Sequence, residues 1–301
     1  MRNPSGIYPN AEEDMPMTVI HPHPEAKPPA AGEKSGGLRF ALFGDPVGHS
    51  LSPAMHRAAY AAMGLKASYE ALRVEAAGEI VPLMKSLGLD GAGVTIPHKE
   101  AVIPFLDEVT TAARSIGAVN TISKRGEGFV GDNTDWLGAA GELAEHVPIR
   151  GGTFAVLGAG GMARAAVFAI LERGGMPVIF NRHADRAAAL AREFRCLSLP
   201  LAALADFRAE ALINTTPVGM YPRTEVSPVA AELLTNFRLV LDAVYNPRTT
   251  KLLRDAAAAG CVAVSGVGLF LRQGAEQLRI WTGREAPWEV MRRVVLAALP
   301  E

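Results

Sequence analysis

A cation and an anion, each set in a loop rich in small polar side chains, are the first chemically suggestive feature of this sequence. Lys99 closes the run Val94-Thr95-Ile96-Pro97-His98-Lys99, and Asp135 closes Gly131-Asp132-Asn133-Thr134-Asp135. Between them lies Gly117-Ala118-Val119-Asn120-Thr121, and upstream lies Gly48-His49-Ser50-Leu51-Ser52-Pro53. A lysine held by a carboxylate can give a proton to an oxygen that is gaining charge, and take it back in reverse. Ser50, Ser52, Thr95 and Asn120 are neutral hydrogen-bonding groups suited to a small polyhydroxylated acid. One lysine alone is an ordinary surface charge. Several such loops in one chain argue instead for a shared site. His49 and His98 sit inside these runs, but nothing in the chemistry requires a second base, so both are read as structural or solvent-facing.

A second feature says what that proton accompanies. Gly158-Ala159-Gly160-Gly161-Met162-Ala163 follows an apolar stretch at 154–157 and opens a segment of helical pattern. The first glycine makes a tight turn, the second lets backbone approach a pyrophosphate, and Ala163 is small enough for helix–strand packing. The helix start then offers unpaired N–H groups to phosphate. At the end of the next strand, where an NAD site would carry a carboxylate, this chain has Asn181-Arg182, with Arg186 one turn on. Two guanidinium groups suit the 2′-phosphate of NADP, although Asp185 lies between them. The reaction class is therefore hydride transfer between NADPH and a carbonyl, with Lys99 supplying the proton.

In this order, the four polar runs followed by a dinucleotide fingerprint resemble the shikimate dehydrogenase family, over nearly all the chain from Leu38 onward. The resemblance implies reversible NADPH-dependent reduction of 3-dehydroshikimate to shikimate, on the route to chorismate and the aromatic amino acids. It implies that Lys99 is the catalytic acid/base with Asp135 as its partner. Ser50 and Ser52 would hold the substrate carboxylate, and Thr95, Asn120 and Asp135 the ring hydroxyls. Tyr245, in Val244-Tyr245-Asn246-Pro247, and Gln273 match further substrate contacts. Asn214-Thr215-Thr216-Pro217-Val218-Gly219-Met220 resembles the loop beside the cofactor, which adds Thr215, and Gly266 matches a position close to the nicotinamide. The chain departs from the family pattern at Gly93, where Asn usually precedes the Val-Thr-x-Pro run, at His183 (usually Thr) and at Leu269 (usually Met). The rivals are a quinate/shikimate dehydrogenase using NAD or NADP, and a non-catalytic NADP-sensing relative.

The elements that must position these residues follow an α/β rhythm. Strands are expected at 38–43, 69–74 and 91–95, with helices opened by Pro53 (Ser52 as N-cap) and at 78–87. A helical pattern spans 99–117, a short hairpin covers 118–122 and 128–131, and 136–145 is helical. From 153 the alternation is regular: strands at 153–157, 177–180, 211–214, 239–244 and 262–264, with helices at 162–173, 184–194, 250–259, 268–282 and 287–298. The expected architecture is two α/β domains with a cleft between them. One is an N-terminal substrate-binding domain, 38–134 plus 267–301. The other is a Rossmann-like NADP-binding domain, 135–266. Residues 1–37 hold seven prolines and read as a flexible leader.

Composition narrows the rest. Thirty Lys+Arg against 31 Asp+Glu gives no basic excess for nucleic acid. No apolar run reaches the roughly 18–20 residues of a membrane span. Cys196 and Cys261 are far apart and follow no metal spacing, and His21 and His23 are too sparse for a metal site. The expectation is a cytoplasmic enzyme with a small-molecule substrate, NADP, no metal, no nucleic acid and no membrane, acting as a monomer or homodimer.

Overall fold

The computed structural model of the chain describes residues 37–299. The expected leader at 1–37, with His21 and His23, lies outside these residues apart from Gly37. The first half runs β1 (Leu38–Gly44), α1 (Ser52–Ala62), β2 (Ala67–Arg73), α2 (Ile80–Ser86), β3 (Gly91–Val94), β4 (Glu108–Val109), α3 (Thr111–Ile116), β5 (Thr121–Arg125), β6 (Gly128–Asp132) and α4 (Asp135–His146). Its sheet has the order β2-β1-β3-β5-β6-β4. β2, β1 and β3 are parallel, and β5 joins β3 and β6 antiparallel. Short β4 then pairs parallel to β6.

The second half runs β7 (Thr153–Leu157), α5 (Gly161–Glu172), β8 (Met176–Asn181), α6 (Ala184–Phe194), β9 (Leu197–Pro200), β10 (Ala209–Asn214), β11 (Phe237–Asp242), α7 (Lys251–Ala258), β12 (Val262–Val264), α8 (Gly266–Thr282) and α9 (Trp288–Ala298). Its sheet order is β12-β11-β10-β7-β8-β9, with every neighbouring pair parallel. Helices cover both faces of such a sheet, which is why Phe154-Ala155-Val156-Leu157 is apolar without alternation. Strand order reverses between β7 and β10. Ligands of doubly wound sheets bind at that switch point, beyond the carboxyl ends of the strands.

Two long-range packings tie the halves together. Trp136, Ala139, Ala140 and Leu143 of α4 share a core with Phe154, Val167 and Phe168, and Trp136 meets Phe168 edge-on at 5.3 Å. The last helices return to the first sheet, where Phe270, Leu278, Trp281 and Met291 pack with Phe40, Tyr60 and Tyr69. Among the described residues no helix is long and apolar enough to cross a membrane.

Two expectations need correction. The helical pattern at 99–117 is not one helix. Pro104 interrupts it, leaving a 3-10 turn at Ile103–Phe105, the short β4, and α3 alone at the end. Thr110 caps α3 by accepting the Ala113 N–H, and Gly117 stops it in the left-handed conformation. Ser52 is not the N-cap of α1 but its first residue. Its N–H is accepted by Ser50 Oγ at 3.2 Å, and Leu51 holds the cap position without a side-chain bond.

Two buried titratable groups oppose each other in stability. Burial lowers His56 to about 4 from 6.5, and it raises Asp242 to about 6 from 3.8 against hydrogen bonds from Thr250, Val244 and Asn214. A depressed histidine contributes stability above its unfolded value that is lost as pH falls towards 4. A raised aspartate contributes stability at low pH that is lost as pH rises towards 6. The two slopes largely cancel in one window. Asp242→Asn removes only the second, and Thr250 Oγ1 can accept from the new amide. The variant is expected to lose on the order of 2–3 kcal/mol between pH 6.5 and pH 4 relative to the parent's trend. Denaturant midpoints across that range check this, and parallel curves would refute it.

Candidate active site

The Lys99 ammonium lies 2.5 Å from Asp135 Oδ2, with both side chains largely buried. Asp135 is the first residue of α4, where the helix dipole favours an anion. Its N–H donates to Asn133 Oδ1, and its Oδ1 accepts from Asn120 Nδ2 at 2.8 Å. Asn120 Nδ2 also approaches Thr134 Oγ1 at 3.0 Å and, more distantly, Gln273 Oε1 at 3.5 Å. Asn120 Oδ1 accepts from the Thr134 N–H and the Thr121 hydroxyl, each at 2.7 Å. Lys99, Asn120, Asp135 and Gln273, from two loops and two helices, thus meet in one polar network.

Lys99 owes its place to backbone bonds around it. Thr95 N–H donates to Phe43 O at the end of β1, and Val119 N–H donates to Lys99 O at 2.7 Å. His98 is buried and donates from Nε2 to Val74 O at 2.9 Å. It anchors the loop and has no contact with the Lys99 amine, in keeping with a structural role. Thr95 itself is half-buried just past β3, four residues before Lys99.

A second cluster gathers Ser50, Ser52 and Tyr245. Ser50 Oγ donates to Ser52 Oγ at 3.2 Å. Burial pushes the Tyr245 hydroxyl above its ordinary value, while contacts with Ser50 and the Leu51 backbone pull it down. Tyr245 stacks on Phe270 at 4.2 Å, and Phe270 O accepts from Gln273 Nε2, so α8 carries both clusters on one face.

The dinucleotide turn is built at the switch point. Gly158 has φ +123°, a conformation that L side chains rarely adopt, and its N–H donates to Phe180 O. Gly160 caps α5, and a Cβ there would project into open space. Such a bare, glycine-lined helix start fits a pyrophosphate. Ala163 is fully buried against the core, while Ala159 and Met162 are half-buried. Thr215, after β10, bonds Leu157 O through both its N–H and its hydroxyl, which sets it beside Gly158. Asn181 ends β8, just past the pairing of Leu157 with Phe180. Arg182 and Arg186 are exposed at the start of α6 and make no ion pair among the described residues. Neither touches the Lys99 network. Gly266 opens α8 where a Cβ would meet Ala243 O and Asp242 O, at 2.5 and 2.7 Å.

One observation joins the two halves of the site. A Cβ on Gly161 would lie 3.1 Å from both Cβ and Cδ of Lys99, so the turn opening α5 rests against the lysine stem. Arg164, one turn on, pairs with Glu100 at 3.2 Å and with Glu193 at 2.7 Å. The glycine turn and the Lys99 side chain are neighbours.

Comparison with known proteins agrees with this geometry. The shikimate dehydrogenase substrate binding domain matches residues 42–122, and the shikimate 5′-dehydrogenase C-terminal domain matches 266–296. A shikimate dehydrogenase (NADP+) of Methanosarcina mazei is 44% identical over 276 residues, covering 86% of this chain and 98% of that one. The chain belongs to the shikimate dehydrogenase family. A shikimate dehydrogenase of Thermus thermophilus, solved with NADP(H) and shikimate, is 39% identical with a TM-score of 0.79 over 87% of this chain and all of its own. A quinate dehydrogenase of Corynebacterium glutamicum, solved with NAD, has the same TM-score at only 28% identity over 87% of this chain and 99% of its own. These two shikimate dehydrogenases are nearer in sequence than that quinate dehydrogenase, and the quinate alternative is not favoured. A sensor that had lost its chemistry is no better supported, since Lys99 and Asp135 are both present and paired.

Sequence reasoning named the runs containing Thr121, Asn133 and Thr134 but gave these residues no role. It did not single out Gln277, whose Nε2 donates to Asn120 O and Thr121 Oγ1. The available signal was its spacing of four from Gln273, which puts both on one helix face. Glu142, Glu145 and His146 are close enough together to suggest a cation, but Arg272 bonds both carboxylates.

Proposed function

We propose that this chain is an NADP-dependent shikimate dehydrogenase, reducing 3-dehydroshikimate reversibly to shikimate. The observation that carries the reading is the Lys99–Asp135 pair at 2.5 Å, seated against the first turn of the dinucleotide helix. NADPH, when bound, supplies the hydride. Lys99 gives its proton to the substrate oxygen as negative charge builds there, and recovers it in the oxidation direction. Asp135 holds the amine in place in a largely buried site. Asn120, Thr95 and Asp135 receive ring hydroxyls, Ser50 and Ser52 the carboxylate, and Tyr245 and Gln273 border the ring.

The turn Gly158–Ala163, with Asn181, Arg182, Arg186, Thr215 and Gly266, holds the cofactor. Residues 38–134 with 267–301 form the substrate domain and 135–266 the cofactor domain, so closure of the cleft between them would exclude water. The site is drawn from one chain, which serves a monomer and a homodimer equally. A cytoplasmic location goes with this reading, supported by two unpaired thiols.

Initial rates with shikimate and with quinate, each with NADP and NAD, test the whole. The expected order puts shikimate with NADP highest in kcat/KM. A higher value for quinate with NAD overturns both substrate and cofactor. Tight nucleotide binding without turnover overturns the enzyme reading altogether.

A further inference from the structure

Gln277, on α8, is buried and meets the network at Asn120 and Thr121. We propose that Gln277 is a positioning residue for the Lys99–Asp135 pair, fixing the Asn120 amide so that Asp135 keeps one oxygen for Asn120 and the other for Lys99. This rests on the roles given to Lys99 and Asp135 above.

The bonds form a directed chain. Gln277 Nε2 donates to Asn120 O and to Thr121 Oγ1, each at 3.1 Å, which uses both amide hydrogens. Having accepted there, the Thr121 hydroxyl turns its own hydrogen to Asn120 Oδ1 at 2.7 Å. The Thr134 N–H reaches the same oxygen. The oxygen end of the Asn120 amide is thereby pinned, and its nitrogen end must face Asp135 Oδ1, which it meets at 2.8 Å. Asp135 offers its other oxygen to Lys99. Gln277, Asn120, Thr121 and Asp135 are each 4% exposed or less, so water cannot replace a lost partner. In such a dry network a misdirected amide leaves a donor or acceptor unpaired.

Gly93 borders the same network. It lies opposite Thr121 in the β3–β5 pairing. A Cβ there would sit 2.8 Å from the Tyr69 hydroxyl, 3.0 Å from Leu42 Cδ1 and 3.6 Å from Gln277 Nε2. Tyr69 and Leu42 therefore leave no room for a side chain at 93, and the Gln277 amide lies at ordinary contact distance beside that position.

The test is a pair of Gln277 variants read by kcat, KM and the pH profile of kcat with shikimate and NADP, alongside Tm. Gln277→Ala and Gln277→Met are each expected to lower kcat about tenfold and displace its pH profile, with KM for NADP unchanged within about twofold. A native kcat and pH profile in Gln277→Met overturns the proposal. Should Gln277→Ala fail to fold, Gln277→Met still decides. Native enzyme that turns over shikimate while the Gln277 variants behave as native refutes this inference alone; native enzyme without turnover refutes the functional reading beneath it.

Discussion

Replacing Lys99 with alanine is expected to lower kcat by about 10²–10⁴-fold while KM for shikimate changes by less than about threefold. The asymmetry follows from the network. The lysine amine is the one cation bonded to Asp135 among the described residues, so its removal takes away the proposed proton donor outright. Asp135 keeps the Asn120 amide and its place at the start of α4, and Asn120 keeps Thr121 and Thr134. The groups proposed to receive the substrate therefore stay where they are. Stability should fall as well, because half of a largely buried ion pair is left without its partner. Kinetics must be measured well below the variant's Tm for that reason. A native kcat with a raised KM would show that Lys99 binds substrate and does not move its proton.

Legibility in the sequence followed the range of the interactions. The cofactor half was readable because its determinants are local: an apolar strand, a glycine turn and a helix, repeated with short connections. Gly158 to Ala163 are consecutive, running from the end of β7 into the first turn of α5, so six adjacent letters carried the reading. The substrate half was harder. Ile103, Leu106, Ala112, Ala113 and Ile116 fall at helix-like spacing, yet Pro104 and the pairing of β4 with β6 divide that stretch into three pieces. Tertiary pairing won over periodicity there. The residues that hold the active network from behind were the least visible, because Gln277 meets Asn120 across 157 positions of sequence. Single-letter spacing carries no trace of such a pairing. Gly93 looked like a missing amide in the sequence, and only the packing around it supplies a physical reason for glycine.

The double variant Arg182→Ala/Arg186→Ala is expected to raise KM for NADPH about 10²-fold, at roughly tenfold for each charge-assisted hydrogen bond removed. KM for NADH should change by less than about threefold, since the two cofactors differ only at the 2′-phosphate. Arg164 commits its guanidinium to Glu100, Glu193 and the Ile116 carbonyl, whereas Arg182 and Arg186 stand exposed with no acidic partner among the described residues. They flank the end of β8, one strand from Gly158, where the ribose of a dinucleotide on this turn must lie. Asp185 shares that first turn and opposes a phosphate, which makes two arginines more useful than one. Because the site is open to solvent, its attraction is screened, and the native KM for NADPH should climb with ionic strength while the double variant's stays nearly flat. Saturating NADPH should restore kcat to within about threefold, because neither side chain reaches the Lys99 network. Equal losses with NADH and NADPH would mean that these arginines shape the loop without reading the phosphate.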